Sequence, residues 1–222
     1  TVSSQAVSSG SFTLATPSQV YGQTVGDTIS ITVVNADGSP SGNAVTKTVV
    51  SLPTGGTITT SGNYRIHSFT SSGNFVTPAG FPTITANYTI FAGGGGAGAG
   101  QVASSLGGGG GGGGGYLTGN SSIAASTTYA VVIGAGGAGS PANVSSQSVN
   151  GSNSTALSLT SIGGGGGGNR NGVEQGKDGG SGGGSSGTNS LDGGAGTSGQ
   201  GNRGGNQTTS DWGATGGGGK TA

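Results

Sequence analysis

The chain has 222 residues, and only 5% of them are charged, against about 25% in typical soluble domains. Six basic and six acidic residues give zero net charge, which excludes an electrostatic surface for nucleic acid or acidic membranes. No run of about 18 apolar residues is present, and the lack of cysteine excludes disulfides and thiolate metal sites.

The first 25 residues contain few apolar positions among small polar ones. Because the sequence lacks methionine, we expect Thr1 to result from removal of a secretory signal or from excision. Either this segment is a terminal edge strand of its own domain, or it is exchanged with a neighbouring subunit. The residues of the candidate exchange strand are Val2, Val7, Phe12 and Leu14.

The next part of the chain predicts a β-hairpin. Residues 27–36 and 43–52 have alternating apolar positions, and residues 37–42 have the Asp, Gly, Ser and Pro composition of turns. Residues 1–62 are therefore predicted to form an N-terminal β-strand module.

From Asn63 onward, three strand-like runs are separated by turns at residues 71–73 and 78–80. The third run, residues 83–92, continues directly into glycine. One face of this run carries Ile84, Ala86, Tyr88, Ile90 and Ala92. The same strand-then-glycine pattern recurs at residues 127–139 and 154–168.

Glycine is concentrated in the second part of the chain. Of 57 glycines, 15 lie within residues 93–115 alone, including nine in succession at 107–115. Such a stretch is either a flexible linker or a structure built from backbone alone. Because three apolar strands lead into separate glycine blocks, we predict that residues 63–222 form a β-framed bundle of polyglycine II-type helices. The predicted fold class is all-β, with no α-helix, since glycine strongly disfavours one.

The order of these motifs resembles the glycine-rich domain of phage tail-fibre and tail-tip adhesins and of bacterial surface proteins. The similarity covers about residues 64–222. It begins with the run from His67 to Phe75 and residues 78–80, and it continues through residues 129–139 and 150–163. The resemblance implies a bundle of polyglycine helices whose connecting loops contact a host receptor.

The sequence gives little support for catalysis. His67 is the only histidine, and its place between Ile66 and Phe69 favours a structural role. Residues 214–221 match a relaxed phosphate-binding loop and residues 179–183 a nucleophile elbow, but neither has the required strand and helix. We predict no enzymatic activity, no cofactor and no metal site.

Aromatic and arginine side chains are the best candidates for receptor contact, because they dominate binding energy at interfaces. The candidates are Tyr116, Leu117, Arg170, Asp211 and Trp212. Alternatively, Tyr116 and Trp212 cap the ends of the glycine bundle. Six Asn-x-Ser/Thr sequons also occur, at Asn87, Asn120, Asn143, Asn150, Asn153 and Asn206.

These observations favour a non-enzymatic extracellular structural protein, a subunit that polymerises with itself into a surface filament or appendage. One alternative is the receptor-binding tip of a phage tail fibre. Another is an ice- or polysaccharide-binding protein with a flat Thr/Gly face. The expected partners are other copies of the chain, a bacterial surface receptor or a polysaccharide.

Overall fold

The fold is all-β, as predicted from the sequence. The computed structural model describes residues 28–31, 45–48, 50–101, 107–142, 144–187, 191–208 and 214–220. These residues contain ten strands, arranged as five antiparallel sheets of two strands each, and no helix. Within the same ranges, no helix is long and apolar enough to cross a membrane. The candidate exchange strand (Val2, Val7, Phe12 and Leu14) lies outside the described residues.

The strands are short except for one long pair. In chain order they are β1 (Thr28–Ile31), β2 (Val45–Thr48), β3 (Thr57–Ser61), β4 (Tyr64–Ser68), β5 (Gly73–Val76), β6 (Ile84–Phe91), β7 (Tyr116–Ile123), β8 (Thr128–Val131), β9 (Ser154–Ala156) and β10 (Leu159–Ser161).

The predicted hairpin is confirmed, since β1 pairs with β2 in antiparallel register. The three runs after Asn63 correspond to β4, β5 and β6. Two strands, β3 and β7, were not predicted, and the single strand predicted at the start of residues 154–168 is instead a tight hairpin of β9 and β10, which reverses at Leu157 and Ser158 through positive φ angles. The proposed domain boundary after residue 62 falls in the turn between β3 and β4, where Gly62 has a positive φ of 55°. The division into two domains stays a prediction.

The long β6–β7 pair connects the strands to the glycine-rich part. Its eight residue pairs run from Ile84 opposite Ile123 to Phe91 opposite Tyr116. The predicted apolar face is buried or half-buried at Ala86, Tyr88 and Ile90, whereas Ile84, at the start of the strand, is 40% exposed. The buried apolar side chains among the described residues are few: Ile90, Ala99, Ile123 and Val131.

Beyond the strands, extended glycine-rich segments are bonded to one another through their backbones with a period of three residues. The N–H groups of Ala92, Gly95 and Gly98 donate to the carbonyl oxygens of residues 115, 112 and 109. The N–H groups between them, at Gly93 and Gly96, donate instead to residues 152 and 149. Successive groups therefore point to different neighbours.

Residues 179–187 show this pattern most fully, because they are buried throughout and have six neighbouring segments. From Ser181 to Ser186 the N–H groups donate to three segments in rotation, and the carbonyl groups of residues 180–185 accept from three others. Ser181 and Gly184 donate to one segment, at Gly113 and Gly110. Gly182 and Ser185 donate to a second, at Asn202 and Gly205, and Gly183 and Ser186 donate to a third, at Lys177 and Glu174. The accepted bonds come from Gly165 and Gly168, from Thr215 and Gly218, and from Gly194 and Thr197.

The bundle has two unlike ends. At the strand end, Ala92, Gly115 and Ile162 lie on one level, joined by backbone hydrogen bonds. The opposite end, here called the far end, has on one level Gly98, Gly109, Gly168, Gly184, Gly205 and Thr215. Five successive stretches of the network end or resume near the far end, at residues 101 and 107, 142 and 144, 170 and 173, 187 and 191, and 208 and 214.

Two asparagine side chains replace backbone acceptors at one edge of the bundle. The Oδ1 atoms of Asn153 and Asn150 accept hydrogen bonds from the N–H groups of Gly163 and Gly166, both at 2.9 Å. Both pairs are three residues apart, so the side chains keep the period of the network. Residues 163–169 are buried, and these N–H groups would otherwise be shielded from water.

Close packing explains why the central segments are glycine. A Cβ atom on Gly165 would lie 1.9 Å from the carbonyl oxygen of Lys177, and one on Gly182 would lie 1.8 Å from that of Gly194. Near the bundle surface there is more room: a Cβ on Gly94 would lie 3.7 Å from the nearest atom, the Gly112 oxygen. Central glycines are therefore required by contact between backbones.

The Gly165→Ala substitution tests this requirement. We expect it to lower the free energy of unfolding by at least about 2 kcal/mol, because backbone segments must separate to admit the methyl group. The matched control, Gly94→Ala, should change stability by no more than about 1 kcal/mol in either direction. Urea unfolding followed by circular dichroism measures both, and equal losses would contradict the packing argument.

The asparagine bonds give a second prediction. Asn150→Ala leaves the Gly166 N–H without its partner, which should cost about 1–3 kcal/mol of stability. Asn150→Asp should lose less, because a carboxylate oxygen can still accept the bond from Gly166, although the bond that the Asn150 Nδ2 donates to the Asp178 carbonyl oxygen at 2.9 Å is lost in both variants. The control is Asn87→Ala, at an exposed position on β6. Urea unfolding of the three variants is the measurement, and an Asn150→Ala midpoint equal to that of Asn87→Ala would refute the role of the side chain.

Candidate interaction site

An exposed aromatic pair lies where the β6–β7 sheet enters the glycine bundle. Phe91 and Tyr116 are opposite each other in the last register pair, with ring centroids 5.1 Å apart and planes inclined by 41°. Phe91 is 65% exposed, while Tyr116 is half-buried. A large ring with this exposure in a rigid sheet is a candidate contact residue.

The C-terminal part of the chain packs against this pair. The Lys220 Nζ lies 5.2 Å from the centre of the Tyr116 ring, within the range of a cation–π contact. It also donates hydrogen bonds to the carbonyl oxygens of Gly199 and Tyr116, at 2.5 and 3.3 Å. The Tyr116 N–H in turn donates to the Gln200 carbonyl oxygen at 3.0 Å. These contacts fix the position of Tyr116 relative to the bundle.

The aromatic pair is one end of a regular exposed surface, here called the β6–β7 outer face. The face consists of four cross-strand pairs: Phe91 with Tyr116, Thr89 with Thr118, Asn87 with Asn120, and Thr85 with Ser122. Seven of the eight side chains are exposed, Tyr116 is half-buried, and none of the eight is charged. The face is therefore neutral and largely polar, with two aromatic rings at one end.

The three predicted receptor contacts that the structure describes do not come together. Tyr116 is on the outer face, and Leu117 is half-buried on the opposite face of the same strand, across from Ile90. Arg170 is at the far end, eight residues along the chain from Ile162, or about 25 Å in an extended conformation. Asp211 and Trp212 lie outside the described residues, as do Val2, Val7, Phe12 and Leu14. The role of each of these residues stays a prediction.

Arg170 is engaged within the chain. Its guanidinium forms an ion pair with Glu174, and the two side chains are only 17% and 16% exposed. Its backbone N–H donates to the Ala99 carbonyl oxygen at 3.0 Å. Arg170 and Glu174 therefore fix the turn that joins two glycine segments.

The structure adds residues that the sequence analysis missed, namely Phe91, Asn87, Asn120 and Lys220. A usable signal existed for Phe91 and Asn87, since both alternate with the apolar positions of residues 84–92 and so had to face outward. Their partners on β7 could not be found in the same way. YLTGNSSI has only three large apolar residues, and its pairing with β6 depends on contacts across the chain.

The residues considered for catalysis make contacts within the fold. The Nδ1 of His67 lies 2.8 Å from the Gly55 carbonyl oxygen, and its ring packs edge-on against Phe75 at 4.9 Å. Ser181, within the apparent elbow motif, is fully buried in the glycine network. Among the described residues, no three His, Cys, Asp or Glu side chains group closely enough to hold a metal ion.

Comparison with known families identifies most of the chain. Residues 70–222 match the family model described as a glycine-rich domain. Searches of curated proteins and of solved structures gave no match. The matched range begins just before β5, includes every glycine segment, and covers well over half of the sequence. The chain belongs to the glycine-rich domain family.

Proposed function

We propose that the protein is a non-enzymatic, extracellular structural protein that assembles with other copies of itself into a surface filament or appendage. In this proposal the glycine segments are polyglycine II-type helices, which form a rigid body. The strands that precede them make the contacts between subunits. The observation that carries the proposal is the exposed outer face of the β3–β4 hairpin, next to a bundle held together by its backbone.

The hydrogen-bond period supports the polyglycine helices. A chain in the polyproline II conformation has three residues per turn and no internal hydrogen bonds, so its N–H and C=O groups all point outward. In residues 181–186, the partner segments of successive N–H groups repeat after three residues. Such a helix needs neighbours on all sides to bond its N–H and C=O groups, and six segments surround this one.

The β3–β4 hairpin supports assembly between subunits. The register of the two strands puts six exposed residues on one face: Thr57, Thr59, Ser61, Tyr64, Ile66 and Ser68. Tyr64 is 69% and Ile66 42% exposed. An isolated two-stranded hairpin is marginally stable in water, and its unpaired edges can pair with another chain. A second subunit on this face would cover the apolar side chains and add stability.

The proposal predicts concentration-dependent assembly of the whole chain. Sedimentation velocity should show larger species as the concentration rises, and negative-stain electron microscopy should show ordered filaments. Deletion of residues 1–20 should abolish the filaments if that segment is exchanged between subunits. A monodisperse monomer at high concentration would refute the proposal.

Point variants test whether the β3–β4 face makes the contact between subunits. We expect Tyr64→Thr with Ile66→Thr to raise the concentration needed for assembly about tenfold, because two apolar contacts are lost while strand propensity is kept. The control is Val173→Thr, an exposed apolar residue at the far end. Equal effects of the two variants would place the contact elsewhere.

A phage tail-fibre adhesin is the second candidate, and the far end of the bundle favours it. The ends of several glycine segments lie there, so residues joined to those ends would be presented together to a receptor. This proposal predicts binding of the chain to intact bacterial cells, measured by flow cytometry with labelled protein. Trp212→Ala should abolish the binding, and Tyr64→Thr should not. Absence of binding to any bacterial surface tested would count against this candidate.

A further inference from the structure

We propose that the β6–β7 outer face is a binding site for a neutral polysaccharide. The site consists of the aromatic pair, Phe91 and Tyr116, followed along the sheet by three pairs of hydroxyl and amide side chains. It is separate from the β3–β4 face and from the far end of the bundle. Binding here goes beyond the proposed assembly function.

The polar side chains suit a ligand rich in hydroxyl groups. Thr, Ser and Asn each provide both a hydrogen-bond donor and an acceptor, as a sugar hydroxyl does. In the described part of the chain, Thr118 is the one of the six whose side chain hydrogen-bonds internally, to the Tyr88 carbonyl oxygen at 3.1 Å. The two asparagines, Asn87 and Asn120, are directly opposite each other at the centre of the face.

The aromatic pair supplies an apolar platform beside these groups. A pyranose ring has an apolar face of C–H groups and an edge of hydroxyl groups, and the outer face offers partners for both. The exposed Phe91 ring would cover the apolar face of one sugar while Thr89 and Thr118 contact its hydroxyl groups. The same two rings interrupt the hydroxyl array that a flat ice-binding surface would need.

The charge and the length of the outer face further restrict the kind of ligand that would bind. None of the eight side chains is charged, and the nearest cation, Lys220, is held by Gly199 and Tyr116. An acidic polymer would therefore find no matching charges on the face. Successive pairs on one face of a strand are about 6.8 Å apart, so four pairs extend over about 20 Å. That length fits several linked sugars rather than a single one.

The face is also rigid before any ligand arrives. Immediately after the aromatic pair, the Ala92 N–H donates to the Gly115 carbonyl oxygen at 3.0 Å, and both chains continue into the glycine bundle. Because the side chains stand on a sheet fixed at this end, little conformational entropy is lost on binding. Short, flexible loops would not present the same regular array.

The test uses the full chain made in bacteria that lack N-glycosylation, because Asn87 and Asn120 lie in sequons. The probes are three neutral polysaccharides (dextran, yeast mannan and galactomannan) and one acidic polysaccharide (polygalacturonate). Affinity electrophoresis and titration calorimetry measure binding. We expect binding to at least one neutral polymer and none to polygalacturonate.

Variants assign the binding to the face. Phe91→Ala should weaken it at least about tenfold, as loss of an aromatic anchor typically does. Asn87→Ala with Asn120→Ala should weaken it similarly, whereas Leu52→Ala, which removes an exposed apolar side chain outside all the proposed surfaces, should leave it unchanged. Thermal unfolding checks that each variant is folded. The proposal is overturned by absence of binding to all three neutral polymers, by preference for polygalacturonate, or by binding that both outer-face variants retain.

Discussion

The structure depends on hydrogen bonds between the backbones of neighbouring glycine segments. In an ordinary domain, side chains keep backbones apart and the interior is apolar. Here carbonyl oxygens lie less than 2.5 Å from where many glycine Cβ atoms would be, and residues 163–169 and 179–187 are buried among other backbones. The interior is therefore held together by backbone N–H and C=O groups, which can approach one another this closely only where the residue has no side chain.

The strands and the polar side chains at the edges complete this arrangement. The β6–β7 sheet sets the spacing of the first two glycine segments, because its last pair, Phe91 and Tyr116, is followed at once by a bond from Ala92 to Gly115. At another edge, Asn150 and Asn153 replace backbone acceptors. Side chains thus act at the borders of the bundle, where surfaces for partners also lie.

Much of the architecture could be predicted from the sequence, and the reasons are local. Alternation in residues 83–92 predicted β6 and its apolar face, and abundant glycine excluded helices. The β7 strand was missed because YLTGNSSI has a weak pattern of its own and is a strand through its pairing with β6. The outer face likewise needed that register, since Asn87 and Asn120 are 33 positions apart in the sequence and become neighbours only across the two strands.

The small apolar core has a thermodynamic consequence. Unfolding would expose mainly peptide groups, serine hydroxyls and glycine backbone, with Ile90, Ala99, Ile123 and Val131 as the buried apolar residues of the described part. Exposure of apolar surface raises the heat capacity and exposure of polar surface lowers it. The heat capacity change of unfolding should therefore be small for a chain of this length, which gives a broad, flat dependence of stability on temperature and little tendency to unfold in the cold.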